Sequence, residues 1–567
     1  MKSLVHPLIT KGVFRLNINR VIALFFLANI TLPAQQNTHF CWPIDSPFTI
    51  TANYGELRPN HFHAGLDFST NGLVNLPVYA AEEGYLSRIR VSATGYGKCV
   101  YITHPGGRVT VYAHLNSFSL KLDREIKKEQ YTQQKNEIDF IPIANTVLVR
   151  KNEIIGLSGN SGGSTGPHLH FEVREEVRDM PVNPMAYYDV HDQTAPHIEH
   201  IAFYDLADTT SPQFISSYKV KKNTLDSFFL DGDKITLDHA IIGFAFSGFD
   251  QTALKGNSNG IYSAELYLNG RLIYSHAMDD IPFSEGRYVN EFSETKGKIK
   301  FQKCFLPTLY PEHLYKSMFD KGRILLPDTG FQSLQLVLRD ESGNRSALNF
   351  NVRTRKFNFY RSPSFKGHNL VNCSEPTTVR ENGLELFTPA NTLYNSVSVI
   401  LENTLIKNNK IAILPPYVNL NSAATIGFQV PLKFKAWASK LVLKNSSSVT
   451  NSLIRNDSVF FMIKNFDSYE LLIDSIPPSV KSKQGSLKNM KQGVSNAIAF
   501  HVTDKLSGIG KYDLYLNEKW VVAEYDAKSD QIIYYYEDDT PQGLLRFRLE
   551  VEDKAGNRTT FNDSKSR

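Results

Sequence analysis

The sequence predicts a mainly β protein, an antiparallel β-sheet domain over 48–184 followed by several β-sandwich, Ig-like modules. Three observations carry this. Short period-two apolar runs separated by glycines fill 48–184, short strand patterns and polar turns continue from Pro196 to the end, and two C-terminal stretches repeat one another. At 567 residues the chain exceeds what one hydrophobic core supports. An apolar fraction of 41% with 36 Phe and 27 Tyr supplies folded cores, and 21% charged residues with dispersed prolines exclude a long disordered tract.

Taken in order, Met1–Arg20 carries Lys2, Lys11, Arg15 and Arg20 without an acidic residue, and Val21–Ile30 reads VIALFFLANI before Thr31-Leu32-Pro33-Ala34. A basic region, a short apolar core and a small-residue exit predict a signal peptide over 1–34, cleaved near Ala34, and export to the periplasm, cell surface or medium. The apolar run is shorter than the ~20 residues that span a bilayer, and no later run is longer, so no transmembrane segment is expected in the mature chain.

Strands are expected at 76–81, 84–89, 98–104 and 108–114, with turns at Gly95-Tyr96-Gly97 and Pro105-Gly106-Gly107. The polar, helix-forming stretch 122–139 interrupts them as a partly helical excursion, read as a solvated insertion or a cleft rim, and the strand pattern resumes over 141–149. A linker near 187–196 leads to a β-sandwich module at 196–355. A β domain is expected at 356–478, with strand-like runs at 396–401 and 434–438, and a last sandwich at 479–567 after Pro477-Pro478. The first and last modules share Gly260-Ile261 with Gly508-Ile509, Leu266-Tyr267-Leu268-Asn269 with Leu514-Tyr515-Leu516-Asn517, and the turns Asp340–Arg345 and Asp553–Arg558. The Asp and Gly-Asn residues of those turns suit tight backbone geometry and also offer oxygen ligands for calcium.

A net charge of +5 with no basic, aromatic-interleaved stripe excludes nucleic acid as the expected partner, though it favours loose association with an anionic polymer. Cys41, Cys99, Cys304 and Cys373 make no CxxC pair. Cys304 and Cys373 are read either as a disulfide or as buried thiols.

Chemistry concentrates around Thr165–Val173, TGPHLHFEV. Strand periodicity puts His168 and His170 on one face and Leu169 and Phe171 on the other. With HAGLD at 63–67, YAHL at 112–115 and the glycine-rich run 159–166, these motifs resemble the lysostaphin-type zinc metalloendopeptidases, the M23 peptidase family, over about 48–184. The resemblance implies Zn2+ held by His63, Asp67 and His170 with one position open for water, His168 as general base, and His114 orienting water, stabilising the oxyanion or sharing the proton. His61 and His104 fall outside the pattern. The family mostly cuts peptide cross-links of bacterial peptidoglycan, so peptidoglycan peptides are the expected substrate. The C-terminal β modules are the expected site for an envelope protein partner. Two alternatives are a noncatalytic wall-binding scaffold and a zinc endopeptidase acting on a non-wall protein.

Overall fold

The computed structural model describes residues 39–567 apart from 46, 191, 209–211, 224–226, 252–257, 328–329, 356–367 and 484–496, so the expected signal peptide lies outside the described residues. Its elements are overwhelmingly antiparallel strands, and no helix among the described residues is long and apolar enough to cross a membrane.

The N-terminal part is built on a nine-stranded sheet. Its main path uses β1 (Ile50–Ala52), β2 (Leu66–Ser69), β3 (Gly84–Val91), β4 (Lys98–His104), β5 (Arg108–Leu115), β6 (Ile138–Phe140) and β7 (His168–Glu175), in the order β1-β2-β7-β5-β4-β3-β6. Alternation along β2 and β7 buries Leu66, Phe68, Leu169, Phe171 and Val173 in one core with Val100, Ile102 and Tyr112, which turns the intervening Asp67, His168, His170 and Glu172 to the opposite face. Trp42 stacks on Tyr188 and packs edge-on against Phe68, closing that core.

The stretch 122–139 contains helix α1 (Leu120–Gln133), which buries Leu122 and Ile126. It is not merely solvated, because its outer side receives the last module, and Asp123, Ile126 and Lys127 line a cleft with that module's Val522, Glu524 and Glu537. Lys127 pairs with Glu537 at 2.9 Å, the Tyr131 hydroxyl donates to Glu537, and Asn136 bridges the Tyr512 carbonyl and the Ala523 amide. Strand structure does not resume over all of 141–149. Ile141 and Ile143 are exposed, and only Leu148–Val149 pairs, with β3.

Three further cores follow, one spanning Ile198–Val352, one spanning Val371–Leu471 and one spanning Ile498–Val551. The run at 434–438 is not a strand: Leu432–Lys440 is a 3-10 helix that buries only Phe434, because Pro431 before it sets a turn closed by the Phe434 amide on its carbonyl. Cys304 and Cys373 are free buried thiols in separate cores, which excludes the disulfide reading.

The repeat between the first and last modules extends to individual hydrogen bonds. Asn344 caps Asp340 through its amide and side chain and also reaches the Asp192 carbonyl at 3.0 Å. Asn557 does the same with Asp553 and the Asp474 carbonyl at 2.9 Å. The longer middle of the first module, between 268 and 332, supplies Met278, Ile281, Tyr288, Val289 and Phe292 to a buried cluster with Tyr54 and Phe62 of the N-terminal domain.

Candidate metal centre

His170 on β7 sits directly opposite Asp67 on β2, and His63 enters from the turn before β2. That turn lies against β7 because residue 65 is glycine: a Cβ there would stand 2.1 Å from the Phe171 carbonyl oxygen. His63 Nε2 and Asp67 Oδ1 are 3.0 Å apart, His63 Nε2 and His170 Nδ1 are 3.0 Å apart, and His170 Nδ1 and Asp67 Oδ1 are 2.9 Å apart. Two imidazole nitrogens and one carboxylate oxygen therefore converge on a single point, all in buried residues. A tetrahedral ion about 2.1 Å from each donor separates donors by roughly 3.4 Å, so a small opening of this triangle admits one.

The network assigns the tautomers. His63 Nδ1 donates to the Asn53 carbonyl at 2.7 Å, freeing the Nε2 lone pair. His170 Nε2 bonds Glu172 at 2.7 Å, which leaves Nδ1 to face Asp67 and His63. Burial opposes ionisation of Asp67, but the charge of His63 and hydrogen bonds from His168, His170 and His63 outweigh it and hold the carboxyl well below the usual range. Burial likewise disfavours charge on His170, yet its bonds to Asp67 through Nδ1 and to Glu172 through Nε2 raise it to about 9.

His168 and His114 complete the face. His168 Nδ1 lies 2.9 Å from the Gly166 carbonyl and 3.1 Å from Ser164 Oγ, and its Nε2 is 3.5 Å from Asp67. The His114 ring centroid lies 4.8 Å from that of His168. His114 reaches this face through a bulge: Lys98 pairs with Leu115 and Val100 with Tyr112, so three steps along β5 span two along β4, and His114 adopts φ +59°. Without the bulge it would share the core-facing side of Tyr112. Its Nδ1 donates to the Ser161 carbonyl at 2.9 Å, and burial, then His170 and His168, push it down to about 3, so it is neutral at physiological pH.

With this geometry in hand, the sequence model of Peptidase family M23 matches residues 61–132, a segment containing His63, Asp67 and His114. The chain carries an M23 peptidase domain. It is 35% identical over 143 residues to the DD-carboxypeptidase/endopeptidase Mpg of Neisseria meningitidis, covering 25% of this chain and 26% of that protein. It is 30% identical over 150 residues to the peptidoglycan DD-endopeptidase ShyA of Vibrio cholerae, covering 25% and 28%. A crystal structure of a zinc-containing peptidase from Vibrio cholerae aligns at 28% identity over 27% of this chain and 40% of that one, with a TM-score of 0.20. The chain thus spans about a quarter of the length of the curated relatives it matches.

Sequence reasoning named the five residues at the centre of the M23 domain but missed those that hold them. Glu172 is fully buried and bound by His170, by the Tyr96 hydroxyl at 2.5 Å and by Arg174 Nε at 2.6 Å. Burial opposes its charge, but Arg174 and His170 hold it at about 2. Its signal was available, since it follows His170 at the strand period. Arg58 contacts Asp67 Oδ2 at 3.3 Å, and the carbonyls of Asn53 and Ser161 act through the backbone, which no residue type encodes. His104 is structural, bonded to the Glu83 carbonyl and Thr110, and His61 is exposed with its ring on the Pro59 carbonyl.

Proposed function

We propose that this chain is an exported zinc metalloendopeptidase that hydrolyses peptide cross-links of bacterial peptidoglycan. The observation that carries the reading is the convergence of His63, Asp67 and His170 within 3.0 Å of one another beside two further imidazoles. An intact set of five positions argues against a noncatalytic scaffold.

His63 and His170 offer lone pairs because their other nitrogens are held by Asn53 and Glu172, and Asp67 offers its carboxylate. This buried N2O donor set suits Zn2+, which supplies an acidified water and polarises a carbonyl when bound. His168, its Nδ1 turned to the Gly166 carbonyl, points Nε2 into the site 3.5 Å from Asp67 and acts as general base. His114 is neutral with Nδ1 donating to Ser161, so its Nε2 accepts rather than donates. Of the tasks left open by sequence, this tautomer favours orienting water over stabilising an oxyanion.

The test pairs zinc analysis with digestion of purified peptidoglycan, reading new amino termini and fragment masses. Wild type should hold one zinc and release cross-link fragments. His168→Ala should keep the zinc and lose turnover by about 10²–10⁴-fold. His63→Ala, Asp67→Ala and His170→Ala should lose both. No zinc and no new termini would return the scaffold reading, and cleavage of proteins without cleavage of wall would redirect the substrate.

A further inference from the structure

The two related modules each gather three aspartates at their entrance. Asp192, Asp250 and Asp340 do so in the first and Asp474, Asp504 and Asp553 in the last, with carboxylate oxygens within 4.8 Å of one another in each. The last cluster is satisfied by the chain itself. Asp504 accepts the amides of Leu506 and Gly508, Asp474 accepts the Ser507 amide, and Asp553 accepts both groups of Asn557.

In the first cluster Asp192 accepts the Thr194 amide and Asp340 accepts both groups of Asn344, but Asp250 is left out. Asp250 is 1% exposed, and both of its carboxylate oxygens lack a hydrogen-bond partner. Neighbouring Asn259, 3% exposed and bound to Asp250 only through a pair of backbone hydrogen bonds, has both side-chain polar atoms unpartnered. The Gly508 amide, four residues beyond Asp504, returns to Asp504 at 2.7 Å. Its counterpart, the Gly260 amide, lies ten residues beyond Asp250 and goes instead to Asn53 Oδ1 of the M23 domain at 2.9 Å. The glycine amide that satisfies the aspartate in the last module is thus bound to the M23 domain in the first. The charges around it make matters worse: burial, then Glu341, Asp340 and Asp192, push the Asp250 carboxyl up to about 8, which the nearby Gln251 amide offsets only in part. A buried carboxylate without a partner is costly, and such groups are found paired or bound to a metal.

We propose that Asp192, Asp250 and Asp340, with the side-chain oxygen of Asn259, bind a hard divalent cation, calcium by its chemistry, where the first accessory module meets the M23 domain. The donors are oxygens only, without the imidazole or thiolate that would select zinc, and three carboxylates with an amide oxygen match the irregular, oxygen-rich sphere of Ca2+ better than the strict octahedron of Mg2+. The ion would tie the linker residue Asp192 to a strand end and to the Asp340 turn. The next residue, Glu341, accepts from Asn53 at 3.3 Å, so the site braces the residue whose carbonyl orients His63.

The full chain, freed of calcium with EGTA and supplied with one equivalent of zinc, should be titrated with Ca2+ by calorimetry and with Tb3+ by luminescence. Wild type is expected to bind one Ca2+ with a dissociation constant of roughly 10⁻⁴–10⁻³ M. Asp250→Asn should weaken that binding at least tenfold, and Asp504→Asn should leave it unchanged. Should Asp250→Asn fail to fold, Asp192→Asn, on the half-buried linker, carries the same expectation. A second readout is the first thermal transition. Ca2+ should raise it in wild type, whereas Asp250→Asn should raise it in EGTA and abolish the calcium response. Absence of saturable Ca2+ binding in wild type, or Asp250→Asn binding Ca2+ like wild type, overturns the proposal. Neither result bears on zinc or on peptide hydrolysis.

Discussion

The first and last accessory modules are related in sequence and in hydrogen bonding, yet they hold the M23 domain in opposite ways. The first is fused through apolar packing: Met278, Tyr288, Val289 and Phe292 bury against Tyr54 and Phe62, and the Tyr54 hydroxyl accepts the Ile281 amide at 2.7 Å and donates to the Pro181 carbonyl at 2.9 Å. The last is a polar clasp. Lys98 pairs with Glu524 at 2.6 Å, Lys127 and Tyr131 meet Glu537, and Lys528 reaches the Asn160 carbonyl. Each grip nonetheless ends beside a carbonyl that orients a site histidine, Asn53 for His63 and Ser161 for His114. An apolar joint is stable and insensitive to salt, whereas a polar one is adjustable. His63 is therefore braced by buried packing, and His114 lies next to a contact that salt can loosen.

The largest expected effect comes from breaking the apolar joint. Phe292→Ala removes a fully buried ring that packs edge-on against Phe62 and His276, and should cost about 3–5 kcal/mol. Denaturant unfolding followed with zinc retention checks it, and an M23 domain that keeps its zinc and stability after this change would contradict the fused-joint view. Asn53→Ala acts more locally. It leaves the carbonyl on His63 but strands the Gly260 backbone groups and removes one of the donors to Glu341, so the brace loosens and zinc affinity should fall about 10–100-fold. Competition with a chromogenic chelator measures this. Lys528→Ala, on the opposite grip, should leave zinc affinity within about twofold.

The sheet and its central residues could be read from sequence, whereas neither joint could. Period-two strands announced the sheet, because side-chain alternation is local, and the resemblance of the HAGLD, YAHL and HLH motifs to the M23 peptidases pointed to its five central residues. The bulge that turns His114 was invisible, since it depends on how β5 registers against β4 rather than on composition. The excursion at 122–139 looked solvated because its charges are those of a surface helix, while their partners lie some four hundred residues away in sequence, at Tyr512, Ala523 and Glu537. Phe434–Ala438 misled in the other direction, because a short apolar run cannot distinguish a strand from a turn of helix when only one of its residues is buried.

Acid should test the first module separately from the face that carries His63, Asp67 and His170. His276 is fully buried beneath Phe292, its Nδ1 lies 2.9 Å from the Tyr274 hydroxyl, and burial pushes its imidazole down to about 3. A histidine kept neutral in the fold but titrating near 6.5 when unfolded lends stability that is complete above pH 6.5 and is lost as pH falls towards 3. At pH 5 the loss is about 2 kcal/mol. Unfolding midpoints at pH 7 and 5 should therefore differ less in His276→Gln than in wild type, and an equal pH response in the two proteins would exclude this histidine as the source.

The smallest effect discriminates most cleanly between the two grips. Lys98 and Glu524 are mostly but not fully buried, so their pair lies between an exposed bridge and an internal one, and a double-mutant cycle should give a coupling of about 1 kcal/mol. Screening acts on such pairs and not on packed rings. Raising NaCl from low to high concentration should therefore increase hydrogen–deuterium exchange across 159–163 and 524–528 while leaving 53–57 unchanged. If both segments loosen together, the polar clasp and the apolar joint form one cooperative unit, and His114 is braced as firmly as His63. If only the first loosens, salt should also lower turnover without releasing zinc, because the carbonyl that sets the His114 tautomer lies beside the clasp, while the donors at His63, Asp67 and His170 stay fixed by the joint.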